Sequence, residues 1–151
     1  MSKKLIILIV ILVIVIGVSY FIYQSLRPAS QQESVSGEVY TNSVYGYSVN
    51  IPESWKGKYF VEEKDHITSF VYNSTSDTKY NLFSIIAYSN DEWQQVKSEP
   101  GFHGTEITTK DDFVFVYVMS LDNPYVGEEA DDYQKMVGDV NSIIKSFRFI
   151  K

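Results

Sequence analysis

The sequence predicts an α+β fold, in which helices flank an antiparallel sheet that follows an N-terminal transmembrane helix. Three observations support this prediction: an uncharged apolar stretch near the N-terminus, a series of short strands joined by short turns, and an amphipathic helix near the C-terminus. Strands joined by short turns pair antiparallel, because a parallel pair needs a long crossover connection. The chain has 151 residues, 15% of them aromatic, which is the length and the core-forming material of about one domain.

Residues 1–26 are predicted to form a membrane anchor. Leu5–Tyr23 contains nineteen residues without a charge. As a helix that rises about 1.5 Å per residue, this stretch approaches the ~30 Å thickness of the hydrocarbon core. Lys3 and Lys4 precede it, so the positive-inside rule places the N-terminus in the cytoplasm. We therefore expect a single-pass protein of the cell membrane whose C-terminal domain is extracellular.

A cleaved signal peptide is the competing interpretation of the same segment. Gly17, Val18 and Ser19 weakly resemble a small-x-small cleavage site. The apolar stretch continues beyond them, whereas the apolar region of a signal peptide usually spans ~7–15 residues. The pattern favours an uncleaved anchor.

Residues 27–38 are polar and lack apolar periodicity, which predicts a flexible tether before an extracellular domain at residues 39–151.

The chain contains no cysteine, so disulfides and thiolate metal sites are excluded. All 19 acidic residues lie beyond the anchor, and two of the 13 Lys and Arg residues precede it. The part of the chain beyond the anchor therefore has a net charge of about −8. Nucleic acid is therefore an unfavourable partner, because its phosphates would be repelled.

The predicted strands are short apolar or alternating stretches bounded by turn residues. They are Tyr47–Ile51, Tyr59–Glu63, Ile67–Tyr72, Leu82–Tyr88, Thr105–Thr109 and Phe113–Ser120. The fourth and the sixth are almost continuously apolar, which is typical of strands covered on both faces.

Two helices are predicted. Ser89 and Glu92 have the spacing of a capping box and start a short helix that contains Trp93. The second helix has apolar residues three, four and seven apart between Ala130 and Phe147, with charged residues on its other face. We expect the apolar stripe of this helix to pack on the sheet.

The stretch YGYSVNIPESW at residues 45–55 and the helix end IIKSF at residues 143–147 resemble the PsbP/Mog1-type domain. The resemblance covers about residues 39–149 and extends to membrane-tethered envelope proteins of Gram-positive bacteria. It implies an α/β/α sandwich around the antiparallel sheet. Members of this family serve as accessory subunits or protein-binding adaptors, so the resemblance implies binding rather than catalysis.

The sequence predicts no catalytic residue, cofactor or metal site. It lacks the serine-elbow, P-loop, dinucleotide and zinc-protease motifs. His66 and His103 lie in separate predicted segments, each beside turn residues, and are interpreted as solvated. The acidic cluster Glu128, Glu129, Asp131 and Asp132 starts the last helix, where the helix dipole favours negative charge. Successive helix positions do not converge on one cation without help from a loop such as the one that contains Asp122 and Asn123.

The leading hypothesis is a membrane-anchored extracellular binding or accessory module of the cell envelope that has no catalytic activity. A hydrolase of cell-wall or peptide substrates is the alternative, with paired carboxylates drawn from five residues on predicted strand ends and turns. They are Glu62, Glu63, Asp65, Asp111 and Asp112. Two carboxylates about 5–10 Å apart across a pocket would favour the hydrolase.

Two loops are the candidate partner-binding sites. The loop at residues 100–104 contains Phe102, and the loop at residues 122–127 contains Tyr125, each beside Gly and Pro. An aromatic residue on a loop of restricted backbone is a common recognition element. We expect at least one of Phe102 and Tyr125 to be substantially exposed and to contact an envelope protein or a cell-wall ligand.

The predicted topology can be tested with protease added to intact cells. We expect the protease to remove the extracellular domain and to leave a short membrane-protected fragment, detected by an N-terminal tag. Release of a soluble form that begins near Tyr20 would instead establish a cleaved signal peptide.

Overall fold

The computed structural model describes residues 37–77 and 79–151. In this part of the chain, eight strands and two α-helices follow one another, with a single 3₁₀ turn at Glu53–Trp55. They are β1 (Glu38–Asn42), β2 (Tyr47–Ile51), β3 (Tyr59–Lys64), β4 (Ile67–Tyr72), β5 (Asn81–Ser89), α1 (Asn90–Val96), β6 (Thr105–Lys110), β7 (Phe113–Met119), α2 (Glu128–Lys145) and β8 (Arg148–Phe149).

The predicted anchor at residues 1–26 lies outside the described residues, as does the tether up to residue 36. Across residues 37–77 and 79–151, no helix is long and apolar enough to cross a membrane. The strand β1 begins at Glu38, the last residue of the predicted tether.

The six predicted strands are confirmed to within one residue at each end. The predicted capping box is also present, since the Ser89 hydroxyl accepts from the Glu92 N–H and the Glu92 carboxylate accepts from the Ser89 N–H. The amphipathic helix is confirmed as α2, which buries Tyr133, Met136 and Val140. Hydrophobic periodicity and capping therefore determined the type of these elements.

The strands form two antiparallel sheets. The three-stranded sheet has the order β1-β2-β8, and the five-stranded sheet has the order β3-β4-β5-β7-β6. The longest pairing joins β5 to β7, from Phe83 opposite Met119 to Ser89 opposite Phe113. A β-bulge between Glu106 and Thr108 interrupts the pairing of the edge strand β6 with β7.

The prediction of an α/β/α sandwich is wrong. One face of the five-stranded sheet shares a core with both α2 and the three-stranded sheet, which includes Phe70, Phe83, Val49 and Val140. The other face packs Val114 and its neighbours against α1, which has seven residues and is about 10 Å long. So short a helix cannot form a layer, and strands occupy much of the space that the sandwich assigns to helices.

Side chains join the two sheets, which share no strand. The Tyr47 hydroxyl donates to the Thr68 hydroxyl at 2.8 Å, and the Asn42 amide donates to the same oxygen at 3.1 Å. The three side chains are buried. Because a buried donor without a partner costs free energy, this small network restricts how the sheets can shift.

Replacing Thr68 tests the link between the sheets. We expect Thr68→Val to lower the free energy of unfolding by about 2–4 kcal/mol, because the change removes the buried oxygen that accepts from both Tyr47 and Asn42. Urea denaturation followed by tryptophan fluorescence measures this. The matched control is Thr105→Val on the exposed edge strand, for which a change below about 0.5 kcal/mol is expected. Equal effects of the two substitutions would contradict the proposed role of the network.

Candidate functional site

The loop between β7 and α2, residues 120–127, presents two apolar side chains to solvent. Leu121 is 75% exposed and Val126 is 87% exposed, the latter the highest value among the large exposed hydrophobic residues of the described chain. The sequence pattern indicates residues 122–127 of this loop, which exclude Leu121, and Tyr125 as the contact residue. The overlooked signal was the pair of aliphatic residues in a stretch otherwise made of Ser, Asp, Asn, Pro, Tyr and Gly.

Tyr125 holds the loop to the core. Its ring lies 5.1 Å from that of Tyr72 and 5.2 Å from that of Tyr133, measured between centroids. Its hydroxyl accepts a hydrogen bond from the Tyr80 N–H at 3.3 Å. Burial raises the pKa of the Tyr125 hydroxyl. The side chain is half-buried, so the expectation of substantial exposure is not met at this position.

Asn123 fixes the middle of the loop. Its side-chain oxygen accepts from the Tyr125 N–H at 3.1 Å, and its amide donates to the Ala130 carbonyl in the first turn of α2 at 2.8 Å. An asparagine that bonds to backbone two residues on is a common turn device. The loop therefore has a defined backbone on which Leu121 and Val126 are held out.

The acidic residues at the start of α2 connect the helix to neighbouring loops. Glu129 accepts from the Thr75 N–H at 2.9 Å and from the Ser74 hydroxyl, and the Thr75 bonds lower the pKa of the Glu129 carboxyl. Asp132 forms a salt bridge with Lys58 at 2.7 Å and accepts from the Tyr72 hydroxyl at 3.3 Å. Burial, together with the Asp132 carboxylate, raises the pKa of Tyr72 to about 12.

These contacts give the acidic cluster a role within the fold. Within residues 37–77 and 79–151, no group of three or more His, Asp or Glu side chains is arranged to hold a metal ion. Glu129 and Asp132 line a surface cleft of about 390 Å³ beside Tyr72, but their oxygens already accept hydrogen bonds from the β4–β5 loop and from Lys58.

The second candidate residue, Phe102, covers the smaller core. Its ring centroid lies 5.8 Å from that of Trp93 and 6.4 Å from that of Tyr88. Gly104 lies directly beneath, since a Cβ atom there would approach Cζ of Phe102 to 2.3 Å. Gly101 has a φ of 88°, a backbone angle that residues with a side chain rarely adopt. The two glycines allow the loop to turn back over Trp93, and Phe102 is half-buried.

The two histidines lie in different surroundings. His66 packs against the Tyr88 ring at 5.6 Å, and His103 is exposed in the loop beside Phe102. The five carboxylates of the hydrolase alternative lie on β3 and in the β3–β4 and β6–β7 turns. Glu63 accepts from the Tyr40 hydroxyl. None of the five lines the clefts of about 420, 390 and 480 Å³ in the described part of the chain.

Comparisons with family models, curated proteins and solved structures found no match. The resemblance to PsbP/Mog1-type domains therefore stays a prediction. Partner binding through Phe102 or Tyr125 also stays a prediction. In the β7–α2 loop, the side chains most accessible to a partner are those of Leu121 and Val126.

Alanine substitutions separate the anchoring residue of the loop from its exposed residues. We expect Tyr125→Ala to lower the free energy of unfolding by about 2 kcal/mol, because it removes a half-buried ring that packs on three tyrosines. Leu121→Ala should change it by less than about 0.5 kcal/mol, because the side chain is mostly in water. Chemical denaturation of both variants measures the difference. A larger loss for Leu121→Ala would contradict this assignment.

Proposed function

We propose that the chain is a membrane-anchored extracellular module of the cell envelope that binds a partner protein and catalyses no reaction. The observation that carries the proposal is the exposure of Leu121 and Val126 on a loop of fixed backbone. The attachment to the membrane rests on the uncharged stretch Leu5–Tyr23, which lies outside the described residues.

Apolar side chains on a fixed loop suit binding for a thermodynamic reason. Burying a Leu or Val side chain fully contributes about 1.5–3 kcal/mol, so the pair can supply a useful part of a binding free energy. A loop that is already ordered loses little conformational entropy when the complex forms. Tyr125 and Asn123 supply that order through contacts with the core and with the first turn of α2.

The surroundings of the loop indicate the chemistry of the partner. Asp122, Glu128 and Asp131 are exposed beside it. An apolar centre with an acidic rim is complementary to a protein surface with an apolar patch and basic residues around it. The cell-wall or peptide hydrolase remains the alternative hypothesis, and no cleft described above brings its carboxylates together.

The proposal is tested with the full chain as bait in crosslinking and affinity purification from membranes. We expect the double substitution Leu121→Ser and Val126→Ser to reduce the recovered partner at least tenfold, because the apolar contact is lost. Thermal unfolding should stay within about 2 °C of the unsubstituted protein, because both side chains are exposed.

The matched control is Val44→Ser. Val44 is 76% exposed, almost the same as Leu121, but it lies in the β1–β2 turn. We expect this control to recover the partner as the unsubstituted protein does. Equal losses for the control and the double substitution, or full recovery with the double substitution, would overturn binding through this loop.

A further inference from the structure

A groove of about 480 Å³ lies between the open edges of the two sheets. One side is the edge strand β6, and the other is formed by the end of α2 together with β8. Ile107, Ile144, Phe147 and Phe149 give it an apolar lining, and each of these side chains packs partly against the main core. The groove has the volume of a typical ligand site, and its shape is fixed by the core behind it.

Both strands that border the groove are the last strands of their sheets. β6 ends the order β3-β4-β5-β7-β6, and β8 ends the order β1-β2-β8. Among the described strands, β6 therefore pairs only with β7, and its outer N–H and C=O groups are available to a further strand. The bulge between Glu106 and Thr108 bends this edge, which suits a short extended segment better than a long flat one.

The groove carries positive charge on an otherwise acidic domain. Lys145 and Arg148 line it, and Lys110 lies 4.5 Å above the Phe149 ring. The two salt bridges of the described residues, Lys56 with Glu53 and Lys58 with Asp132, involve none of these three cations.

Glu106 is the acidic residue of the lining, and its carboxylate accepts from the Thr109 hydroxyl at 3.3 Å. The excess of cations attracts an acidic ligand and disfavours a basic one.

We propose that this groove binds a short, extended, acidic peptide segment of a partner protein, which adds to β6 as a further strand. In a strand, successive side chains point to opposite faces, and neighbouring side chains on one face lie about 6.6 Å apart. One set covers the apolar lining, and carboxylates in the other set approach Lys145 and Arg148. Main-chain hydrogen bonds to β6 provide affinity, and the cations select acidic sequences, which is the general pattern of β-strand addition. This site is independent of the β7–α2 loop and goes beyond the function proposed for it.

The test uses the full chain in detergent and a fluorescein-labelled octapeptide of alternating valine and glutamate, measured by fluorescence anisotropy. We expect saturable binding, and binding at least tenfold weaker for the octapeptide of alternating valine and lysine. An octapeptide of valine and glutamate with methyl groups on alternate backbone nitrogens should also bind at least tenfold more weakly, because it cannot donate to β6. Failure of the valine–glutamate peptide to bind overturns the proposal, as does equal binding of the methylated peptide.

Two substitutions on α2 provide the matched comparison. We expect Lys145→Glu to weaken binding of the valine–glutamate peptide at least tenfold and Lys135→Glu, which is exposed on the same helix outside the groove, to change it less than twofold. Equal effects would overturn the assignment of the groove.

The Leu121→Ser and Val126→Ser protein should bind the peptide normally, so failure of this site and failure of the proposed function can be told apart. Loss of peptide binding in this protein would contradict the independence of the two sites.

Discussion

The position of the two sheets relative to each other depends on Tyr47. Its side chain is 1% exposed, its ring stacks on Phe147 at 5.0 Å and meets Phe115 edge-on at 5.7 Å, and its hydroxyl donates to Thr68. Burial raises the pKa of this hydroxyl above the usual range of a phenol. One residue of the three-stranded sheet thus packs against the C-terminal segment and bonds to the five-stranded sheet.

Much of the remaining structure follows from this constraint. With β2 held over the larger sheet, the segment after α2 pairs with it as β8, where Phe149 lies opposite Tyr47. Phe147 and Phe149 then fill the space beside Phe115 and close one side of the core. Because β8 ends one sheet and β6 ends the other, the same arrangement leaves the groove between them. The proposed peptide site is therefore a consequence of how the sheets are joined.

The polar face of α2 has a role that periodicity could not indicate. Asp139 accepts from the indole N–H of the buried Trp55 at 3.0 Å, and Asp132 and Glu129 bind Lys58 and the β4–β5 loop. From the sequence, these residues formed only a charged face suited to solvent and to the helix dipole. In the fold they fix the helix lengthwise over the sheet, while its apolar residues fix the depth at which it packs.

Elements whose pattern is strong and local can be predicted from this sequence, whereas those that exist only through pairing cannot. β2, β5 and α2 have clear periodicity or continuous apolar character. β1 has five residues with mostly exposed side chains and β8 has two, so neither contains a pattern that distinguishes a strand from a loop. Missing these two strands concealed the second sheet, and the resemblance then suggested helical layers in its place.

The two candidate binding surfaces also could not be fully predicted from the sequence, and they differ in the interactions that would hold a partner. Composition identified the β7–α2 loop, but it could not show that Tyr125 packs inward while Leu121 and Val126 extend outward. The proposed contact with that loop depends mainly on removing apolar surface from water, which salt at moderate concentration does not screen. The proposed peptide binding in the groove depends partly on Lys145 and Arg148, whose exposed charges are screened beyond about 8 Å at physiological ionic strength. Higher ionic strength should therefore weaken a ligand held in the proposed groove more than a partner held by the loop, because the acidic rim adds to an apolar centre that salt does not screen.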